Sequence, residues 1–415
     1  LHSFPTRRSS DLHSLIFFLS LAAAAIPAFI LGRRQIKLKY YSFAVSLVFI
    51  YFAMSTRPAA LIYLGLYCIL QYIIVQVFAY RRRKLGKSGL AYFIAIVLSL
   101  APLATYKILE AGANPYKIFA FLGISYLTFK SLQMIIEIHD GLIEKVKTFD
   151  FFYFLLFFPA LISGPIDRSR RFNEDINTVM SKEEYTELFG DGLLKICKGL
   201  FYKFVLATAS FQLITILGSD DDWVSMLINM YSYGIYLFFD FAGYSLMAIG
   251  VSNLFGVKTP VNFNKPFISK DIREFWDRWH ITLSYWFRDY VFSRITMRFV
   301  RNKWFKSKIT TSSVGFIINM TIMGIWHGLS LHYILYGVYH GILLALTNWY
   351  QKKSKFYKKN KKKKWFIALQ TFVTINLVMF GFFIFSGKFT EIMGWSWEIL
   401  LKTMEIGRAS CRERV

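Results

Sequence analysis

Apolar residues run along this chain in blocks of 16 to 33 separated by short polar stretches, and about 20 apolar residues is what one α-helix needs to cross a bilayer. Such blocks lie near residues 14–32, 40–55, 59–80, 89–109, 117–137, 149–164, 191–218, 223–255, 283–300, 312–327, 331–350 and 365–386. The pattern predicts an all-α, polytopic integral membrane protein with about eleven membrane-embedded helices, some of them short or re-entrant around a central cavity. Irregular backbone at membrane depth survives only where protein or a cavity surrounds it. No internal repeat, coiled-coil heptad or appended soluble catalytic domain interrupts the pattern.

Composition agrees with lipid as the solvent: of 415 residues, 55% are hydrophobic, 19% aromatic and only 18% charged. Lys plus Arg total 50 against 25 Asp plus Glu, a formal net charge of +25. Spread over a soluble surface, that excess would suggest nucleic acid. Here it gathers in runs between apolar blocks, at Arg33–Lys39, Arg81–Lys87, Arg301–Lys308 and Lys352–Lys364. This is the positive-inside pattern, so these loops are expected to be cytoplasmic and nucleic acid is not an expected partner. Parity then puts the start of the first span and the end of the last one outside.

The terminal stretches LHSFPTRRSSDL (1–12) and GRASCRERV (407–415) read as non-native end sequence, which leaves one expected domain over 13–406. Between them stand two cysteines, Cys68 and Cys197, with no metal-ligand spacing and no thiol-enzyme context, and both are expected to be packing residues.

One segment breaks the apolar rhythm. Pro266–Phe292 carries Lys270, Asp271, Arg273, Glu274, Asp277, Arg278, Arg288 and Asp289 among aromatic residues, too many charges to cross lipid alone. It reads either as an interfacial amphipathic helix with Trp and Tyr at headgroup depth or as the frame of a cavity into which His280 points. Asp277 precedes His280 by three residues, a helical spacing that would let the carboxylate orient the imidazole; an ordinary surface contact is the other reading.

His327 is the other histidine that stands out. It follows the apolar run Ser312–Trp326, whose fifteen residues span about 22 Å as a helix, and would lie beyond the midplane if that helix starts from the Arg301–Lys308 side. A titratable side chain at such depth needs a reason to be there: a structural hydrogen bond between helices, or chemistry. Gly324 and Gly328 leave room beside it for another backbone or a substrate. His340 is expected to pack on a short return helix, His332 and His139 to be interfacial, and His2 and His13 fall at the doubtful end.

Phosphate loops, HExxH zinc pairs, GxSxG turns and CxxC pairs are all missing from the sequence. Intramembrane acids such as Asp240 in LFFDFAGYS are too few for a transporter relay. A buried histidine needing no metal suits general-base activation of a hydroxyl, as in acyl transfer.

Five ordered motifs sharpen this: FLGISYLTFK (121–130), FFPALISGPIDRSRRFNED (157–175), LFFDFAGYSLMAIGVSNLFG (237–256), FWDRWHITLSYWFRDYVF (275–292) and MGIWHGLSLHYILYGVYHG (323–341). Together they resemble the membrane-bound O-acyltransferase family over nearly the whole chain. The family's invariant histidine falls on His327 within Trp326–His327–Gly328, and its second polar position falls on His280. The polysaccharide acetyltransferase branch usually continues Arg-Asp-Tyr with Pro-Leu-Gly-Gly. This chain continues Val291–Phe292–Ser293–Arg294–Ile295, like the branch that hands D-alanine to teichoic acid.

The resemblance implies a helical ring around a thin centre, with a cytoplasmic cleft and an extracellular funnel meeting near His327. It further implies catalytic roles for His327 and His280 and no permanently bound cofactor. The donor would be a 4'-phosphopantetheine thioester on a D-alanyl carrier protein (DltC-like), with lipoteichoic acid as eventual acceptor through a membrane-anchored D-alanylation partner (DltD-like). The location implied is the multi-pass plasma membrane of a Gram-positive bacterium. O-acetylation of an exported polysaccharide and a non-catalytic lipid or acyl-group transporter are the alternatives.

Overall fold

A computed structural model describes residues 15–111, 123–218 and 222–396; the stretches 1–12 and 407–415 and the start of the expected 117–137 span lie outside them. Among the described residues all regular structure is helical. The helices are α1 (Leu15–Arg33), α2 (Lys39–Met54), α3 (Pro58–Leu85), α4 (Gly89–Ala111), α5 (Ile124–Asp140), α6 (Thr148–Leu156), α7 (Ser169–Asn177), α8 (Lys182–Leu200) and α9 (Thr208–Leu217). There follow α10 (Trp223–Leu254), α11 (Ile272–Arg278), α12 (Ile281–Phe287), α13 (Ser293–Arg301), α14 (Lys308–His327), α15 (Leu331–Lys353), α16 (Lys355–Asn360), α17 (Lys364–Phe385) and α18 (Lys388–Ile392).

Polar side chains cap the starts of three long helices. Ser181 accepts from Glu184 N–H at the head of α8, Asp222 from Val224 and Ser225 N–H at the head of α10, and Ser307 from Ile309 and Thr310 N–H at the head of α14. These bonds satisfy first-turn donors that have no partner within the helix. A π turn at Phe201–Ala207 joins α8 to α9 as one rod over Lys182–Leu217.

Among the described residues seven helices are long and apolar enough to cross a membrane, so the expectation of about eleven holds in kind but is not confirmed in number. Two expected crossings are not independent spans. In 149–164, α6 stops after nine residues, about 13 Å, because Pro159 starts a 3-10 turn and the chain runs on as loop through Gly164 and Pro165. In 283–300, α12, a π turn at Arg288–Phe292 and α13 make a helix that begins inside the protein and climbs out along α5. Trp286 Nε1 donates to the Phe129 carbonyl (3.3 Å), Tyr290 hydroxyl to Glu137 (2.6 Å), and Arg294 pairs with Asp140.

The same contacts overturn the interfacial reading of Pro266–Phe292. Phe275, Trp276, Trp279, Leu283, Trp286 and Phe287 are all buried in a core shared with α5, α14, α15 and α17. The charges stay outward, with Arg273 and Asp277 on α11 and Arg288 at the start of the π turn exposed, while the aromatic faces of α11 and α12 turn inward.

Cross-contacts bring all four cationic loops to one end. Arg82 reaches the His139 carbonyl, Lys39 binds Asp150 (2.5 Å) and Asn177 (2.9 Å), and Asn348 binds Ser312 (3.0 Å) beside the start of α14. By the positive-inside rule this end is cytoplasmic. The start of α1 and the end of α17 then stand at the outer end, as parity requires; the chain termini themselves lie outside the described residues. Cys68 is buried in the core as expected, whereas Cys197 sits on the outward face of α8, because the side of that helix packed on α10 is taken by Gly192, Ile196 and Gly199.

Candidate active site

His327 is the last residue of α14, at the end away from Lys308, and His280 immediately precedes α12, nine residues after Asp271, to which Gln351 beside the lysine run donates at 2.8 Å. From Lys308 to His327 the helix rises about 28 Å, and from Arg294 back to His280 the climb is about 21 Å. Helix α17 spans both: Trp279, the residue before His280, packs on Phe382 at 4.7 Å between ring centroids, and Phe385, three residues on, packs on His327 at 5.1 Å.

Around His327 the walls are aromatic. Trp326 lies 4.6 Å away between ring centroids, Phe385 of α17 5.1 Å, and Tyr333 and Tyr336 of α15 6.1 and 6.5 Å. The ring is half-buried. Gly328 extends the backbone and ends the helix there, and Lys107 of α4 donates to the His327 carbonyl at 3.1 Å. Of the two uses foreseen for the flanking glycines, the structure realises close backbone approach. A Cβ on Gly324 would overlap the Tyr333 carbonyl oxygen, and one on Gly328 would meet the Tyr333 ring at 2.6 Å.

His280 is 4% exposed, and its ring stands edge-on to Phe241 of the LFFDFAGYS stretch at 4.6 Å. The Nε2 atom makes no hydrogen bond within the protein. Asp277 does not orient it. Trp279 is extended and His280 left-handed, so the helix breaks between the two residues, and Asp277 turns to the exposed side facing Arg273 and Arg288.

The other described histidines, His139, His332 and His340, pack. His340 is wholly buried among Trp276, Tyr336 and Tyr339, and a Cβ on Gly381 would lie 2.5 Å from its Nε2, so that nitrogen abuts the backbone of α17. His332 rests on Tyr333 and His139 stacks on Tyr92. Asp240 pairs with Lys203 in the π turn.

Several buried polar residues on α5 escaped the sequence reading. Lys130 donates to the Phe154 and Leu155 carbonyls (2.8 and 3.3 Å), Gln133 to the Asp167 carbonyl (3.0 Å), and Glu137 accepts from Tyr290. Their spacing of three and four on α5 makes one polar stripe that fastens α6, the SGPIDR loop and the π turn at Arg288–Phe292 to this helix. A lysine and a glutamate inside the apolar run 124–138 were the available signal, since charges at membrane depth mark functional or tightly paired positions.

Comparison with known proteins fits this geometry. The model of the membrane-bound O-acyltransferase family matches residues 92–387, which include both histidines. The teichoic acid D-alanyltransferase of Bacillus subtilis (strain 168) is 40% identical over 385 residues, covering 90% of this chain and 97% of that protein. The one from Streptococcus thermophilus is 40% identical over 394 residues, 91% and 94% of the two chains. A probable alginate O-acetylase of Pseudomonas fluorescens is 32% identical over 296 residues, 69% of this chain and 55% of that one. With the family model spanning the helices that carry His280 and His327, this chain belongs to the membrane-bound O-acyltransferase family.

Proposed function

We propose that this protein transfers D-alanyl groups for the D-alanylation of lipoteichoic acid in a Gram-positive plasma membrane. The observation that carries the reading is 40% identity along nine-tenths of the chain to teichoic acid D-alanyltransferases, while the alginate O-acetylase match spans only about half of that longer protein. The donor is D-alanyl held as a thioester on the 4'-phosphopantetheine arm of a carrier protein, DltC-like, at the cytoplasmic end. Such carriers are usually acidic, and the four cationic loops gathered at that end favour the encounter.

The chemistry asked of the site is modest. A hydroxyl attacks the thioester carbonyl, neutral His327 takes its proton as the oxygen–carbon bond forms, and the carbon–sulfur bond breaks to give an ester. The proton returns from the imidazolium to the departing thiolate. General-base help of this kind contributes about 10²–10⁴-fold. His280 positions the acyl group beside His327, and the Trp326, Tyr333, Tyr336 and Phe385 rings limit access by bulk water. Lipoteichoic acid receives the group through a membrane-anchored, DltD-like partner.

Membranes containing the protein, given carrier loaded with radiolabelled D-alanine, should move label into teichoic acid, and carrier loaded with acetyl should not support transfer. Preferred transfer of acetyl would establish the polysaccharide O-acetylation reading instead. Transport that persists in His327→Ala, with no bond made, would identify a conduit.

A further inference from the structure

We infer that Asn262 is a positioning residue for acyl transfer, holding His280 in a backbone conformation that a histidine seldom keeps unaided. His280 has φ +42° and ψ +52°, the left-handed region in which Cβ crowds the following carbonyl. After the extended Trp279, this residue completes the redirection of the chain between α11 and α12, and so it aims the imidazole.

Hydrogen bonds from residues 262–264 bracket the turn on both sides. Before it, Asn264 N–H donates to the Arg278 carbonyl at 3.0 Å; after it, Ile281 N–H donates to the Asn262 carbonyl at 2.9 Å. The Asn262 side chain supplies two more bonds, its Oδ1 accepting from the Thr282 hydroxyl at 2.6 Å and from Thr282 N–H at 3.3 Å. Both lone pairs of that oxygen are then in use. The Thr282 hydroxyl also accepts from Ile166 N–H at 3.0 Å, which ties the SGPIDR loop into the same knot.

The Thr282 N–H belongs to the first turn of α12, where helical donors lack intrahelical partners. His280 holds the N-cap position but makes no side-chain capping bond. Asn262 therefore caps α12 from another segment, and the imidazole is not consumed in capping. Asn262 is 1% exposed and Thr282 7%, so water does not compete for these bonds, which count for more in a low-dielectric interior. The Asn262 Nδ2 makes no hydrogen bond within the protein, so the holding role falls to the amide oxygen.

The inference rests on the acyl-transfer reading, which the wild-type protein tests by itself in the same assay. Initial rates of D-alanyl transfer from loaded carrier would be measured for wild type, Asn262→Ala, His280→Ala and the double variant in membranes, with thermal melting in detergent as the check on folding. Small misplacements of reacting groups can cost about 100-fold, so Asn262→Ala is expected to lower kcat about 10- to 100-fold with KM for the carrier changed less than about twofold. In the His280→Ala background the same change should cost less than about twofold, because a residue acting only through His280 has nothing left to position. Thr282→Val breaks the 2.6 Å bond at nearly constant volume and decides the question if Asn262→Ala does not fold; about 3- to 10-fold loss is expected, again only with His280 present. Losses that multiply in the double variant, or a defect confined to KM, would overturn the assignment. A wild-type protein that transfers no acyl group would instead remove the reading on which it rests.

Discussion

Lys107 of α4 donates from Nζ to the backbone carbonyl of His327 at 3.1 Å, joining positions 220 residues apart. The His327 carbonyl is one of the last-turn acceptors of α14 that no helical N–H can reach, and a cation there also opposes the negative end of the helix dipole. Gly328 ends α14, and the bond ties that end to α4, steadying the origin of the His327 side chain. A lysine in an apolar helix thus acts on the site through backbone.

Replacing this donor should loosen the end of α14 without emptying the site. A hydrogen bond from a charged group is worth about 1.5–3 kcal/mol, so Lys107→Met is expected to lower the melting temperature by a few degrees and transfer about tenfold, with Lys107→Arg intermediate. Unchanged transfer in Lys107→Met would show that the end of α14 is fixed by its packing on α15 alone.

Loss of the two histidines should differ in kind. His327→Ala removes the proposed base, and about 10²–10⁴-fold of rate is expected to go with it while melting stays near wild type, since the ring is only half-buried. His280→Ala should leave a measurable remnant, because positioning is degraded while the base remains. Equal, mild defects in both would move the proton-transfer role to another residue.

How much of this was legible in the sequence depended on whether a feature is local. The depth of His327 was legible because an apolar run bounded by lysines on one side and a glycine on the other fixes both ends of a helix. The geometry of His280 was not, since its left-handed turn depends on Asn262 and Asn264, which sequence spacing does not connect to it. Helical spacing from Asp277 therefore gave a false neighbour. The short α6 could have been read from Pro159, Gly164 and Pro165, but apolar length outweighed them. The buried aromatic face of Pro266–Phe292 was hidden because counting charges says how many there are, not that they share one side.

Docking of the carrier should weaken as salt rises. Exposed charges act over a Debye length of about 8–10 Å, and the four cationic loops at one end offer a wide attractive field. Association measured by surface binding to nanodisc-held protein is expected to slow between 50 and 500 mM salt, roughly following that screening, with dissociation changing less. Binding indifferent to ionic strength would mean that apolar contact carries the encounter.

Orientation can be checked at the lysine run. Lys362 lies in the turn between α16 and α17, on the end where all four basic loops meet. A cysteine at Lys362 in intact cells should resist an impermeant maleimide and react once the membrane is opened. Labelling from outside would invert every placement of the two ends.

The contact between α14 and α15 makes the most demanding prediction, because it joins helix packing directly to the site. These helices touch backbone to backbone: a Cβ on Gly324 would overlap the Tyr333 carbonyl oxygen, one on Gly337 the Met320 carbonyl oxygen, and one on Gly341 would come within 2.7 Å of Ile317 Cα. Backbone cannot swing aside as a side chain can, so even a methyl must push the helices apart, and overpacking of this kind costs about 1–3 kcal/mol. Gly324 stands three residues before His327, less than one helical turn away, so the displacement is passed on to the imidazole. Gly324→Ala is therefore expected to lower melting and transfer together, transfer by about tenfold or more, given that misplacement near 1 Å can cost 100-fold. Gly65→Ala is the matched control: nothing lies within 4 Å of a Cβ there, and helix propensity alone favours alanine by about 1 kcal/mol. It should melt no lower than wild type and transfer normally. If Gly324→Ala behaved like Gly65→Ala, the glycines of α14 and α15 would not be what holds His327 in place.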